Sequence, residues 1–283
     1  MAQGAEAYDA VTPTMSRRHA AGAGSARGLL FTVLGEFVLP GDGTVWTSSL
    51  IDVLSRLGVE PKTTRQALMR TAADGWIRSE RHGRRTRWAL TPNAVQLLTD
   101  GTQRIYGFRG VATEWDHHVV LVLARIPESD RATRHVLRTR LGWAGFGSPA
   151  PGVWLSTHTE RVAEVEDLLA SASVNDARIF VANHVGGSDL ASMVRQAWDL
   201  AAVEATYRAF LADFAASRTS EPLARLVELV HAWRRFPSVD PALPRELLPT
   251  RWSGERAAKL FATRHASWAP AARAEWQAVE RHT

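Results

Sequence analysis

Six side chains between Pro61 and Ala73 could read a nucleic acid. Lys62, Thr63, Arg65, Gln66, Met69 and Arg70 fall on one side of a predicted helix, while Thr64, Ala67, Leu68 and Thr71 share the other at helical spacing. The first face is long, polar and cationic, with almost no acid on it. Arginine and glutamine pair bidentately with guanine and adenine edges, and lysine and arginine neutralise phosphate. Past Gly75, the segments Trp76–Arg81 and Thr86–Leu90 alternate around the turn His82–Gly83–Arg84–Arg85, which predicts a hairpin. Arg81, Arg84, Arg85 and Arg87 on that hairpin would grip the phosphate backbone. A helix after a tight turn, followed by an arginine-rich hairpin, is the layout of a winged helix-turn-helix.

The charge distribution agrees. From Gly58 to Trp88 there are eight bases and three acids, a local excess of +5, which equals the formal net charge of the whole 283-residue chain. The basic excess therefore sits here, and the rest is balanced. The alternative, a merely solvated charged face, explains neither the helical spacing nor the hairpin. The chain has no cysteine, which excludes disulfides, thiolate metal sites and cysteine nucleophiles. No apolar run reaches about 18 residues, so no membrane span is expected, and a cytoplasmic location is. Residues 1–25, rich in Ala, Gly and Ser with Arg17, Arg18 and His19, read as a disordered lead-in that could touch DNA.

The elements that must position the basic helix can be read around it. Arg27–Leu39 carries Leu30, Val33, Leu34 and Phe37 at helical spacing, and Pro40–Gly43 ends it. Thr47–Ser48 is a candidate cap for a second helix lined by Leu50, Leu54 and Leu57. Gly58–Val59–Glu60 turns into Pro61, which suits a first helical turn, and Gly75 suits the end. Trp46 and Trp76 would close this core. A linker helix follows from Thr91–Pro92 to about Tyr106. After a boundary near Gly107–Ala112 come the strand His118–Ile126, an arginine-rich helix Ser129–Leu141 and a Gly/Pro-rich connection Gly142–Pro151. Then follow a strand Gly152–Thr157, a helix Thr159–Ala172 and a strand Arg178–His184, consistent with a ferredoxin-like α/β domain. From Ser188 on only helices are expected, the last two around Gly254–Arg264 and Pro270–Arg281. The fold class is thus α+β and multidomain. A winged helix-turn-helix domain occupies 26–108, a ferredoxin-like domain 113–187 and a helical domain 188–283.

Three stretches resemble the PaaX family of phenylacetic acid degradation operon repressors. They are GEFVLPGDGTVWTSSLIDVLSRLGV through DGWIRSERHGRRTRWALT, then VVLVLARIPE with GFGSPAPGVWLS, and HAWRRFPSVDPALPRELLPTRW at His231–Trp252. The third is the most specific, since LPRELLP after RRF is an unusual string. The resemblance implies a repressor that binds a near-palindromic operator in double-stranded DNA as a homodimer. It also implies release by an acyl-coenzyme A effector such as phenylacetyl-coenzyme A. It maps Lys62–Arg70 onto the family's recognition helix and Arg81, Arg84, Arg85 and Arg87 onto its wing. An acyl-coenzyme A is polyanionic with an apolar end, so His231, Trp233, Arg234 and Arg235 are candidate effector-binding residues. The competing reading has those arginines pair with Asp240 and Glu246 to fix a turn.

Other constellations offer less. His117 and His118 would point to opposite faces of a strand. His158 and His184, with Glu160, Glu164 and Asp189, form at most a loose metal set, and surface histidines explain them as well. A metal-dependent nuclease using the ferredoxin-like domain is the alternative function, and it would need an acid at the end of the first strand. That end reads Ala124–Arg125–Ile126–Pro127, with no acid before Glu128. There is no phosphate-cradling glycine loop and no GxSxG turn. No catalytic residue, cofactor or metal is expected.

Overall fold

The structure is a computed structural model that describes residues 25–112, 115–187, 189–216 and 219–282. The lead-in read over residues 1–25 therefore lies outside it except for Ser25. The chain falls into two units. One holds the described residues up to Thr102, with Glu221–His231 and those from Trp268 on; the other holds Gln103–Ser220 and Ala232–Ser267. The contacts thus do not group as the sequential stretches 26–108, 113–187 and 188–283, because residues of the last stretch contribute to both units.

In the first unit, α1 (Ala26–Val33) is capped by the Ser25 hydroxyl, which accepts from the Gly28 amide, and it continues as a π-helical turn over Leu34–Val38. The periodicity predicts one buried face. Instead every residue from Gly28 to Val33 is buried. The second side is covered from far along the chain. Phe37 stacks on Trp276 with centroids 5.2 Å apart, and Thr32 Oγ1 lies 3.0 Å from His231 Nδ1.

Next come β1 (Thr44–Trp46), α2 (Thr47–Arg56) and α3 (Pro61–Ala73), then β2 (Ile77–His82), β3 (Arg85–Leu90) and α4 (Pro92–Gly107). Thr47 does not cap α2. Its hydroxyl donates to Thr86 O at 3.1 Å and accepts from Trp88 Nε1 at 2.9 Å, tying the helix to β3. The C-terminal ends of α2 and α3 close alike. At Gly58 (φ 77°) the Val59 amide reaches Leu54 O and the Gly58 amide Ser55 O; at Gly75 (φ 76°) the Trp76 amide reaches Thr71 O and the Gly75 amide Ala72 O. This paired closure needs a left-handed residue, which glycine adopts without cost. The strands form an antiparallel sheet in the order β1-β3-β2, with a two-residue turn at Gly83–Arg84. Trp76 and Trp88 are buried in this core, but Trp46 is not: it lies on the hairpin side of the sheet, described below.

In the second unit, β4 (His118–Ala124), α5 (Arg131–Trp143), β5 (Gly147–Ala150), β6 (Val153–Ser156), α6 (Val162–Ser171) and β7 (Ala177–Asn183) make a β-α-β-β-α-β run. The sheet is antiparallel in the order β5-β6-β4-β7. The stretch 142–151, expected to be irregular, contains β5. Glycine is required there, since a Cβ on Gly147 would stand 2.5 Å from the Trp198 ring. The unbroken apolar run in β4 has a direct cause: one face is buried throughout and the other is covered except at Leu123, which is 41% exposed. Val120 and Val122 pack with Leu137, Leu141, Val165 and Leu169, whereas Val119 and Leu155 pack with Val194, Leu200 and Leu243. The remaining helices are α7 (Leu190–Ala197), α8 (Leu200–Asp213), α9 (Pro222–Trp233), the short α10 (Phe236–Val239) and α11 (Gly254–Arg281). The last is one helix with Pro270 inside it, not two. Burial of Trp268, Ala269, Ala272 and Trp276 around the proline offsets the backbone bond it removes.

Candidate nucleic-acid interface

The four residues that anchor α3 are the four read as inward: Thr64, Ala67, Leu68 and Thr71 are buried. That fixes the rotation of the helix. Lys62, Thr63, Arg65, Gln66 and Arg70 are exposed, and Met69 is 62% exposed. Lys62, Arg65, Gln66, Met69 and Arg70 together border one shallow open depression. None of the Lys62, Arg65, Gln66 or Arg70 side chains has a hydrogen bond or ion pair among the described residues. Donors on an arginine or a glutamine that find no partner inside a folded chain are left for water or for a ligand.

The hairpin follows α3 in the same unit, with β2 packed against the helix. Gly83 (φ 62°) begins its turn, as two-residue hairpin turns require. The four arginines divide into two kinds. Arg81 donates only to Gly83 O within its own loop, and Arg84 has no partner among the described residues. Arg85 stacks its guanidinium over the Trp46 ring at 4.0 Å, and His82 meets that ring edge-on. Arg87 is turned back to Asp42 at 2.8 Å. Its partner's carboxyl is held below the usual range, mainly by the Thr44 hydroxyl and in part by Arg87 itself. The Trp46 platform was not foreseen. A tryptophan in a three-residue strand reads as core, and only the pairing Trp46↔Arg87 shows which side chains flank it.

The four candidate effector residues do not share one environment. His231 belongs to the first unit, buried against Thr32. Trp233 is fully buried in the second. There it stacks on Phe261 at 4.9 Å and donates to Ile105 O. Burial also lowers the Arg234 pKa, and Arg235 is exposed at the start of α10. Among the described residues, neither Asp240 nor Glu246 is paired with those arginines as the competing reading has it. Asp240 accepts from Tyr207 Oη and from the Ala242 amide. Most of the string His231–Trp252 is packing: Phe236 stacks on Tyr207 at 4.1 Å, and Trp252 Nε1 donates to Gly110 O at 2.9 Å. Gly110 and Gly254 approach so closely there that a Cβ on Gly110 would lie 2.6 Å from the Gly254 carbonyl carbon.

The histidines also separate. His118 pairs with Asp116, and His158 with Glu160 and Pro241 O. Among the described residues no three His, Asp or Glu side chains gather as a metal would need. At the end of β4, Glu128 is exposed.

Three models of one family match the chain in order. They are PaaX-like protein over residues 25–94, PaaX protein central Cas2-like domain over 112–194, and PaaX-like protein C-terminal domain over 198–278. A relative, the transcriptional repressor PaaX of Escherichia coli (strain K12), is 30% identical over 263 residues, which are 88% of this chain and 82% of that protein. The chain belongs to the PaaX family. The structure of the uncharacterized protein Rv0674 from Mycobacterium tuberculosis is similar in fold. Its TM-score is 0.62 at 24% identity, over 90% of this chain and 98% of that one. The PaaX models divide the sequence close to where strand and helix patterns change, although the packed units do not. Among the described residues, no helix of this PaaX-family chain is long and apolar enough to cross a membrane.

Proposed function

We propose that the chain is a transcriptional repressor, not an enzyme, acting in the cytoplasm on an aromatic, phenylacetate-type catabolic operon. The family membership supports the class. One observation carries it to these residues: the row of unpartnered donors on α3, held outward by four buried side chains. In this reading the first unit is a winged helix-turn-helix and the β-α-β-β-α-β run a ferredoxin-like module. α3 enters the major groove, where Gln66 with Arg65 or Arg70 reads base edges and Lys62 and Thr63 meet phosphate. Arg81, Arg84 and Arg85 grip the backbone, with Trp46 holding Arg85 in place. The chain acts as a homodimer on a near-palindromic site with half-sites about 34–36 Å apart or a multiple. An acyl-coenzyme A such as phenylacetyl-coenzyme A releases it by favouring a dimer in which the two helices no longer match that spacing.

Selection from random duplexes tests this. A palindromic consensus should emerge, and Gln66→Ala should lose about 1–3 kcal/mol of discrimination at one base pair while keeping affinity for scrambled duplex. Equal losses on both duplexes refute the reading role. Duplex cleaved in the presence of Mg²⁺ refutes the repressor in favour of a nuclease.

A further inference from the structure

The second unit contains a cavity of about 540 Å³, within the range of small-molecule sites. Three guanidiniums, from Arg104, Arg138 and Arg161, reach its wall, and so does His158. Arg104 is tied to main chain rather than to an acid, donating to Trp143 O at 3.0 Å and Pro237 O at 2.8 Å. Its pKa is lowered by burial and further by the neighbouring Arg161, so two like charges face each other. Arg161 has Glu160 3.8 Å away, but that carboxylate is 68% exposed. Arg138 has no hydrogen bond or ion pair among the described residues. The single acid on the wall, Asp240, is committed to Tyr207 and the Ala242 amide. The wall residues therefore carry an excess of positive charge, only partly offset by Glu160 beside Arg161 and by Glu164 near Arg104. Beside the guanidiniums lie the rings of Phe108, Trp143, Phe146 and Trp198.

We infer that this cavity, and not His231–Arg235, is the chain's small-molecule site, and that it takes an organic anion bearing an aryl or acyl group. The guanidiniums bind phosphate or carboxylate oxygens, for which planar two-point bonding suits arginine. The rings take the apolar part. The arginine-rich character of α5 thereby finds a use, since Arg138 and Thr139 on that helix line the wall. That the ligand also governs release from DNA rests on the repressor reading above; that it binds here does not.

Titration calorimetry on the full chain with phenylacetyl-coenzyme A tests the site, with phenylacetate and coenzyme A as separate arms. Arg138→Glu is exposed and should fold normally; with Arg161→Glu it should raise Kd at least tenfold. Arg131→Glu, on the same helix but away from the wall, should leave Kd unchanged. Binding retained by coenzyme A alone assigns the guanidiniums to phosphates; retained by phenylacetate alone, to a carboxylate. Either result supports the site. Wild-type affinity in both cavity variants overturns it, as does the absence of binding by all three probes. Duplex binding measured in the same samples separates the two readings. Ligand bound without duplex release leaves the site and refutes effector control. Release with unchanged affinity in both variants leaves effector control and refutes the site.

Discussion

The outward face of α3 and the segment His231–Trp252 both set arginines beside groups that could serve a ligand, yet they end in opposite surroundings. On α3 the cations recur on one side of a helix whose other side carries short, buried residues, and they finish exposed with no partner among the described residues. In His231–Trp252 the arginines are flanked by Trp233 and Phe236, which form the buried aromatic cluster with Tyr207 and Phe261. The first pattern reports a surface because spacing fixes which side is buried. The second is a rare string, and rarity alone does not distinguish a ligand site from a demanding core. Close packing makes its own strict requirements, seen where Trp252 and the glycines at 110 and 254 meet.

Unfolding experiments break this comparison most directly. Trp233→Ala should cost about 3–5 kcal/mol, the range for removing a large buried ring, read as a lower denaturant midpoint. Gln66→Ala should stay within about 0.5 kcal/mol of the parent chain. A Trp233→Ala protein with an unchanged midpoint would mean that the segment is not core.

A second, slightly smaller effect comes from the acid in that segment. Burial pushes the Asp240 carboxyl up from 3.8 to about 6, against the opposing bonds from Tyr207 and the Ala242 amide. The folded chain then holds this proton more tightly than the unfolded one. The contribution is fully present below about pH 4 and is lost as pH rises through 6, by about 2–3 kcal/mol at some 1.4 kcal/mol per unit. Asp240→Asn should flatten that part of the stability profile. An unaltered slope between pH 4 and 7 would show that Asp240 is solvated, contrary to its 6% exposure.

His231 sharpens the comparison from inside the same string. Thr32→Val removes its hydroxyl partner in a buried site and should cost about 1–3 kcal/mol, with DNA discrimination at saturating folded protein unchanged. Loss of ligand binding without loss of stability would instead return His231 to an effector site.

Where sequence and structure agree, local periodicity decided the outcome. The burial of Thr64, Ala67, Leu68 and Thr71, the turn at Gly83 and the stop at Gly75 all follow from neighbours within a few residues. The disagreements share a different cause. α1 and the π-helical turn after it are buried on a second side because His231 meets Thr32 and Trp276 meets Phe37, and no pattern within 26–38 encodes partners some 200 residues away. β5 escaped notice because its GSPA has no alternation, and its strand character comes from pairing with β6. Pro270 reads as a break, yet the tryptophans on either side hold the helix through it. The cavity was illegible for the same reason: Arg104, Arg138 and Arg161 stand on three separate elements, and each alone is an ordinary surface arginine.

The wing repeats the main contrast at small scale, between Arg84 and Arg87. The sequence presents both as phosphate contacts. Arg84 has no partner among the described residues, so its guanidinium is free for DNA, and Arg84→Ala should leave stability unchanged. It should weaken binding to any duplex and lower the slope of log affinity against log salt by about one. Arg87 already spends its charge on Asp42, with a 31% exposed side chain. Arg87→Ala should therefore leave the salt slope nearly unchanged and cost at most about 1 kcal/mol of stability, as a partly exposed pair does. Fluorescence anisotropy at several salt concentrations measures both. Equal slope changes for the two variants would mean that DNA draws Arg87 away from Asp42. Asp42→Asn should then tighten binding, because it would release that guanidinium in advance.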